Sequence, residues 1–141
     1  MKWIMLPALI SLLIKFTAIY VCRKNWEYSN TFFYLIASIA AQNVTELLLF
    51  IDFFTGSVAD FTLRSYYVCT IMMFAFLIAY ATEISNLNSL KSIPIYSYFT
   101  SGILSTLIVF TNLVVSGYQS IGYAITRIAG EYYWLFQIPT Y

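Results

Sequence analysis

The chain has 141 residues, of which 61% are hydrophobic and only 9% are charged, and its mean hydropathy is +0.78. In soluble domains about a quarter of all residues are charged. This composition therefore excludes a water-exposed globular protein and indicates an integral membrane protein. A net charge of +1 provides no basic field for nucleic acid. The absence of histidine excludes His-dependent catalysis and His-containing zinc sites.

Four apolar stretches predict an all-α membrane protein with a single helical domain over residues 1–141. Each is close to the ~20 residues that a helix needs to cross a bilayer. The predicted helices cover residues 3–22, 31–54, 65–84 and 94–116, and Pro94 suits the first turn of the fourth. A last apolar run, residues 132–141, is only the start of a fifth helix because it is too short to span. Lys15 interrupts the first stretch, which argues against a cleaved signal peptide.

The loop cations give a weak prediction of orientation. On one side lie Arg23, Lys24 and Lys91, and on the other lie Lys2, Arg64 and Arg127. The totals are equal, so the pair Arg23-Lys24 directly after the first helix decides, and the N-terminus is predicted outside the cell membrane. In this arrangement Cys22 and Cys69 lie near opposite faces of the bilayer, too far apart for a disulfide.

Polar side chains form a stripe along the second predicted helix. Ser38, Gln42 and Glu46 are spaced four residues apart, with Asn43 and Thr45 on the flanks. Such a stripe must face other helices or a water-filled cavity because a buried polar group is costly in lipid. Two interpretations stay open: a ligand, ion or proton site centred on Glu46, or hydrogen bonds that hold neighbouring helices together.

Lys15 is the other charge inside a predicted span. Alternating helix directions place Lys15 and Glu46 at depths that differ by roughly 10 Å. We therefore expect Lys15 to reach toward the interface or line a cavity rather than to pair directly with Glu46.

The fourth predicted helix carries small residues at helical spacing. Ser97, Ser101 and Ser105 recur every four residues, beside Gly102 and Thr106. Small side chains let two backbones approach closely, and packing inside one bundle is favoured over a dimer seam.

Several short motifs follow one another in a distinctive order. They are Glu46-Leu47-Leu48 in helix two, Arg64-Ser65-Tyr66-Tyr67 and Ala79-Tyr80-Ala81-Thr82 at the two ends of helix three, Thr111-Asn112 closing helix four, and the loop tail Gly130-Glu131-Tyr132-Tyr133-Trp134-Leu135-Phe136. In this order they resemble the N-terminal membrane region of bacterial sensor histidine kinases of the seven-helix type, also found ahead of cyclic-dinucleotide enzymes. The resemblance covers the whole chain but only about four and a half of that family's seven helices. It implies a sensory input domain of a two-component system in the bacterial inner membrane, a fragment or shortened relative of a longer sensor, with no catalytic residue here.

Three functions are compatible with these features. The first is a sensory input domain that detects a small ligand or a membrane state and signals to a cytoplasmic effector. The second is a small oligomeric transporter or channel that uses Glu46, and the third is a non-catalytic membrane partner or immunity-type protein. An enzyme is not expected, because no nucleophile–base or acid–base constellation is visible.

The candidate ligand- or ion-binding residues are Glu46, Gln42, Asn43, Lys15, Asn112 and Arg127. We expect no cofactor, no resident metal and no nucleic acid. The expected partners are the lipid bilayer, an unknown small ligand, and a second copy or another membrane protein.

Overall fold

The computed structural model describes residues 5–24, 29–50, 56–85, 91–120 and 125–133. Within these ranges the chain forms four helices and one two-stranded sheet. The helices are α1 (Met5–Lys24), α2 (Asn30–Leu49), α3 (Ser57–Ser85) and α4 (Ile93–Phe110), and the strands are β1 (Val115–Ser120) and β2 (Ile125–Ala129). The predicted all-α class is confirmed, with one β-hairpin that was not predicted. Most of the predicted run 132–141 lies outside the described residues.

All four helices are long enough and apolar enough to cross a membrane. The longest, α3, has 29 residues. At 1.5 Å per residue it is ~43 Å long, whereas the hydrocarbon core of a bilayer is about 30 Å thick. The four helices therefore fit a multi-pass membrane protein, and α3 is long enough to continue into a headgroup region.

The start of α3 corrects a predicted boundary. The helix begins at Ser57 rather than at residue 65, because the two charges assigned to a loop are compatible with a helix. Asp60 and Arg64 are four residues apart and form an ion pair on one helix face. Arg64 is consequently a helical residue and not a loop cation.

The end of α4 corrects a second boundary. The helix ends at Phe110 rather than at residue 116, and Thr111 has an extended backbone. The apolar residues that follow continue into a strand, where Val115 is completely buried, because β-branched side chains pack well on a sheet. β1 pairs with β2 in antiparallel register, with a bulge at Ser116, whose hydroxyl donates to the Ile128 carbonyl oxygen at 3.0 Å.

The helices pack in chain order, α1 on α2, α2 on α3 and α3 on α4. Short connections make such neighbours antiparallel, so the molecule has two ends. The hairpin end holds the start of α3, the end of α4 and the β-hairpin. The opposite end holds the end of α3 and the start of α4. Rings contact one another across three helices: Tyr34 of α2 stacks on Phe76 of α3, and Phe76 meets Tyr98 of α4 edge to face, each with 5.7 Å between ring centroids.

The main hydrophobic core lies at the hairpin end. Ala59 and Leu63 of α3, Ile108 of α4 and Val115 of β1 are at most 3% exposed and belong to one cluster. The hairpin thus covers apolar surface on the first turns of α3 and on the last turn of α4. This packing brings a buried arginine beside the end of α4.

Candidate functional site

Arg64 lies on the second turn of α3, and its side chain is only 10% exposed. It points toward the place where α4 ends and the hairpin begins. A buried guanidinium is tolerated only when its charge and its N–H groups have partners. Its partners therefore define the most elaborate polar site among the described residues.

The guanidinium donates five hydrogen bonds, one for each of its N–H groups. Nε donates to Asp60 Oδ2 at 2.8 Å. Nη1 donates to the carbonyl oxygens of Ile108 and Thr111, both at 2.6 Å. Nη2 donates to Asn112 Oδ1 at 2.6 Å and to the Val115 carbonyl oxygen at 3.1 Å. We call Arg64 and these five acceptor residues the Arg64 cluster.

The cluster closes the end of α4. The last carbonyls of a helix have no partner inside the helix, and here Arg64 supplies a donor to Ile108 and Thr111. A cation at a helix C-terminus is also favoured by the helix dipole. Because every donor is used within the protein, Arg64 holds the structure together and is not itself free to bind an anionic ligand.

Asn112 was predicted as a ligand-binding candidate, and the structure places it in the Arg64 cluster. Its Oδ1 accepts from Arg64, which fixes the orientation of the amide. It also lines a cleft of about 260 Å³ between α3 and α4, together with Asp60, Phe61 and Phe110. The Oδ1 atom of Asp60 is buried there and has no hydrogen-bond partner among the described residues.

Arg127 was the second candidate at this end, and it lies on β2. Its guanidinium carbon is 4.1 Å from the centroid of the Tyr133 ring, a cation–π contact. Tyr133 in turn meets Tyr67 of α3 edge to face, with 6.3 Å between centroids. Arg127 is therefore connected to α3 through two aromatic rings, while its own side chain stays half-buried.

A second contact ties the hairpin to the start of α3. The backbone N–H of Gly56 donates to the Tyr118 hydroxyl at 2.6 Å. Gly56 has a φ of 66°, a left-handed conformation that glycine adopts without steric cost. The hairpin is thus held at the Arg64 cluster, at the Tyr133 ring and at the turn before α3.

The candidates on α1 and α2 do not join this site. Asn43 Nδ2 donates to Ser11 Oγ on α1 at 3.3 Å, an interhelical hydrogen bond of the kind that the second interpretation of the stripe requires. Glu46 and Gln42 are half-buried, and their side chains make no hydrogen bond or ion pair with the described residues. Lys15 is also half-buried, and the structure shows no ion pair between it and Glu46.

The small residues of α4 and the two cysteines were also singled out from the sequence. Ser101 is buried on α4 and Ser97 and Ser105 are half-buried, while Gly102 and Thr106 beside them are exposed. Cys22 and Cys69 are free, which confirms the prediction that they do not form a disulfide. Among the described residues, no group of three potential ligands is placed to hold a metal ion.

Sequence reasoning misses the role of Arg64, because a charge that flanks an apolar stretch is typical of a loop. One signal was available: Asp60 and Arg64 have the four-residue spacing of a helical ion pair. The acceptors on α4 and β1 could not be found from sequence, since they lie 44 to 51 residues further along the chain.

Comparison of the chain with models of known protein families, with curated proteins and with solved structures finds no match.

Proposed function

We propose that this chain is a membrane-embedded sensory input domain in which the Arg64 cluster couples the hairpin to the helices. The observation that carries the proposal is that one guanidinium bonds α3, the end of α4 and the first residue of β1. A displacement of the hairpin changes the hydrogen bonds that hold α4 against α3. Since α3 is one continuous 29-residue helix, a change at its first turns reaches the opposite end.

The signal in this proposal is a small ligand or a membrane state that acts on the hairpin. Such a ligand could contact Arg127 or the polar residues that line the cleft beside Asn112. A ligand shifts the equilibrium between two arrangements only if it binds one of them more tightly. The proposed role of the Arg64 cluster is to make those arrangements differ in their hydrogen bonds.

The proposal includes an orientation in the bacterial inner membrane, with the N-terminus and the hairpin outside. Arg64 is buried and paired with Asp60, so we do not count it among the exposed cations near the helix ends. Arg23 and Lys24 in the last turn of α1 and Lys91 just before α4 are exposed at the opposite end. Against these three stand Arg127 on the hairpin and Lys2, which precedes α1 in the sequence. The positive-inside tendency places the opposite end in the cytoplasm, where an effector would receive the signal.

Spin labels test whether a change at the hairpin end reaches the opposite end. Ile84→Cys and Ile95→Cys, both strongly exposed positions at the opposite end, carry the labels in a chain with both native cysteines changed to serine. In lipid nanodiscs, Asn112→Ala is expected to shift or broaden the distance distribution between the labels, because it removes one acceptor of Arg64.

Thr106→Ala provides the matched control for the spin-label experiment. Like Asn112→Ala, it shortens a polar side chain. The Thr106 hydroxyl, however, lies on α4 and bonds only within that helix. The control should leave the distribution unchanged. Identical distributions for Asn112→Ala and the unmutated chain would contradict the proposed coupling.

The gene provides an independent test of the sensory role. If the reading frame continues past the codon for Tyr141 through further hydrophobic spans into a soluble signalling module, the proposal is supported and the module identifies the output. A stop codon at that position would remove the basis for a longer sensor and favour the alternative.

The alternative function is a small oligomeric transporter or channel that uses Glu46. It is favoured by one observation: Glu46 is a half-buried carboxyl on a helix of membrane-spanning length and has no hydrogen-bond or ion-pair partner among the described residues. Ionisable residues in such helices often mark ion or proton pathways. Glu46→Gln would then abolish a proton or cation flux into liposomes, whereas a sensory domain shows no flux in either form.

A further inference from the structure

A cleft at the opposite end contains two charges of opposite sign. It has a volume of about 390 Å³ and lies between the start of α2, the end of α3 and the start of α4. Its polar lining consists of Thr31, Thr82, Glu83, Lys91 and Tyr98. Glu83 and Lys91 make no ion pair with each other or with another of the described residues, so the cleft has one charge of each sign.

The cleft brings together charges and helix ends of both signs. Lys91 lies just before α4, and Thr31 lies in the first turn of α2. Helix N-termini attract anions, and the starts of α2 and α4 both border the cleft that Lys91 lines. Glu83 lies in the last turn of α3, where the helix dipole is negative and attracts cations. The cleft therefore suits a ligand that has a negative and a positive group.

The walls of the cleft are held in place by contacts on α3. The Tyr98 ring packs edge to face on Phe76. The Thr82 hydroxyl donates to the Ala79 carbonyl oxygen at 2.8 Å, and Ala79 itself is buried. These contacts give the cleft a defined shape before any ligand binds.

An apolar groove on α4 shares a residue with this cleft. The groove has a volume of about 510 Å³ and is lined by Tyr98, Phe99, Gly102, Ile103 and Leu107. From Tyr98 to Leu107 the helix rises ~14 Å. Tyr98 also lines the cleft, so a polar site and an open, mainly apolar groove meet at one residue.

We propose that the cleft binds the headgroup of a phospholipid that carries a phosphate and a primary ammonium, with an acyl chain in the groove on α4. The phosphate lies toward Lys91 and the N-termini of α2 and α4, and the ammonium lies toward Glu83. A free phosphoethanolamine compound has the same charged groups, but only the lipid also fills the apolar groove. The site is separate from the Arg64 cluster, and it does not depend on the sensory role proposed above.

Native mass spectrometry of the purified chain tests this proposal. The protein in detergent is titrated with dioleoyl lipids that differ only in the headgroup: phosphatidylethanolamine, phosphatidylglycerol and phosphatidylcholine. We expect phosphatidylethanolamine to bind most tightly. Lys91→Ala should weaken its binding about fivefold, the effect of one cation near a membrane surface. Glu83→Gln should remove the preference over phosphatidylglycerol, because the remaining charges in the cleft favour an anion.

Two further variants separate the parts of the site. Lys24→Ala removes an exposed cation at the same end, but outside the cleft, and it should leave lipid binding unchanged. Gly102→Leu fills the groove, where an added Cβ meets no atom within 4 Å. It should weaken binding of all three lipids without changing their order.

Three results would overturn the proposal. They are equal binding of the three lipids, an equal effect of Lys91→Ala and Lys24→Ala, and displacement of phosphatidylethanolamine by millimolar glycerophosphoethanolamine. The last result would assign the cleft to a soluble headgroup compound instead of a lipid. None of them bears on the spin-label test, because that experiment measures coupling from the hairpin end.

Discussion

Arg64 joins three elements through a single side chain. A neutral hydrogen bond contributes about 1 kcal/mol net, and bonds to charged groups contribute more. The contribution of this residue is larger than that of one bond, because its removal also leaves buried carbonyl oxygens without donors. Among the described residues it is therefore the position at which a conservative change should have the largest effect.

Arg64→Lys is expected to lower the free energy of unfolding by about 2 kcal/mol. Lysine keeps the charge, but it has three donors on one atom instead of five on a planar fork. It cannot reach Asp60, the end of α4 and β1 together. Unfolding in mixed detergent–SDS micelles, followed by circular dichroism, measures the change. Arg23→Lys, at an exposed position on α1, is the control, and an equal effect of the two substitutions would show that Arg64 has no special structural role.

The sequence singled out Asn112 but not the arginine that binds it. A polar residue near the end of an apolar stretch is visible in one dimension, whereas its partner on another helix is not. The same limit applies to Asn43, whose contact with Ser11 joins α1 and α2. Residue types therefore predicted which side chains need partners, and the packing of helices determined which partners they have.

Among the elements, the hairpin differs most from its prediction. Only Thr111 and Asn112 interrupt the apolar residues between α4 and β1, so hydropathy extends the helix to residue 116. The strand forms because Arg64 takes the carbonyls at the end of α4, and because Val115 and Ile125 are buried against α3. Both causes are tertiary contacts, which a hydropathy pattern does not contain.

Gly130 provides a test of how the hairpin returns to the end of α4. A Cβ at this position would lie 2.2 Å from the Leu113 carbonyl oxygen and 2.6 Å from the Asn112 carbonyl oxygen. Backbone atoms cannot move aside as a flexible side chain does, so Gly130→Ala should cost about 2–3 kcal/mol of stability. Thermal unfolding in detergent, read by circular dichroism, measures the loss.

Gly102→Ala is the matched control for this substitution. It adds the same methyl group in the middle of α4, where an added Cβ meets nothing within 4 Å. Alanine is also the better helix former, so the midpoint of unfolding should stay the same or rise. If Gly130→Ala unfolds at the same temperature as Gly102→Ala, the close contact with residues 112 and 113 is not part of the folded state.

For the whole molecule, composition predicted the class, and the apolar stretches along the chain predicted the number of long helices. The ~20-residue requirement of a bilayer is a property of each segment, so it can be read without knowing any contact. The order of packing, with α1 against α2 and α4 against α3, depends on matching surfaces and was not predicted. Orientation depends on which cations are exposed near the helix ends, and the structure removes Arg64 from that set because it is buried and paired with Asp60.

Cysteine accessibility tests the proposed orientation. In a chain without the native cysteines, Ser57→Cys marks the hairpin end and Ser85→Cys marks the opposite end, both at exposed positions. A membrane-impermeant maleimide should label the first in intact cells and the second only after the membrane is permeabilised. The reverse pattern would place the hairpin in the cytoplasm and contradict the orientation proposed from the loop cations.

The long sequence separation within the Arg64 cluster has a consequence for biosynthesis. Four of the five acceptors of Arg64 lie 44 to 51 residues downstream, so they emerge from the ribosome after Arg64. Asp60, four residues earlier, emerges before Arg64 and is the one acceptor on the same helix. We therefore expect Asp60 to serve as the first counterion of Arg64, and the later arrival of α4 and the hairpin to complete the set of acceptors.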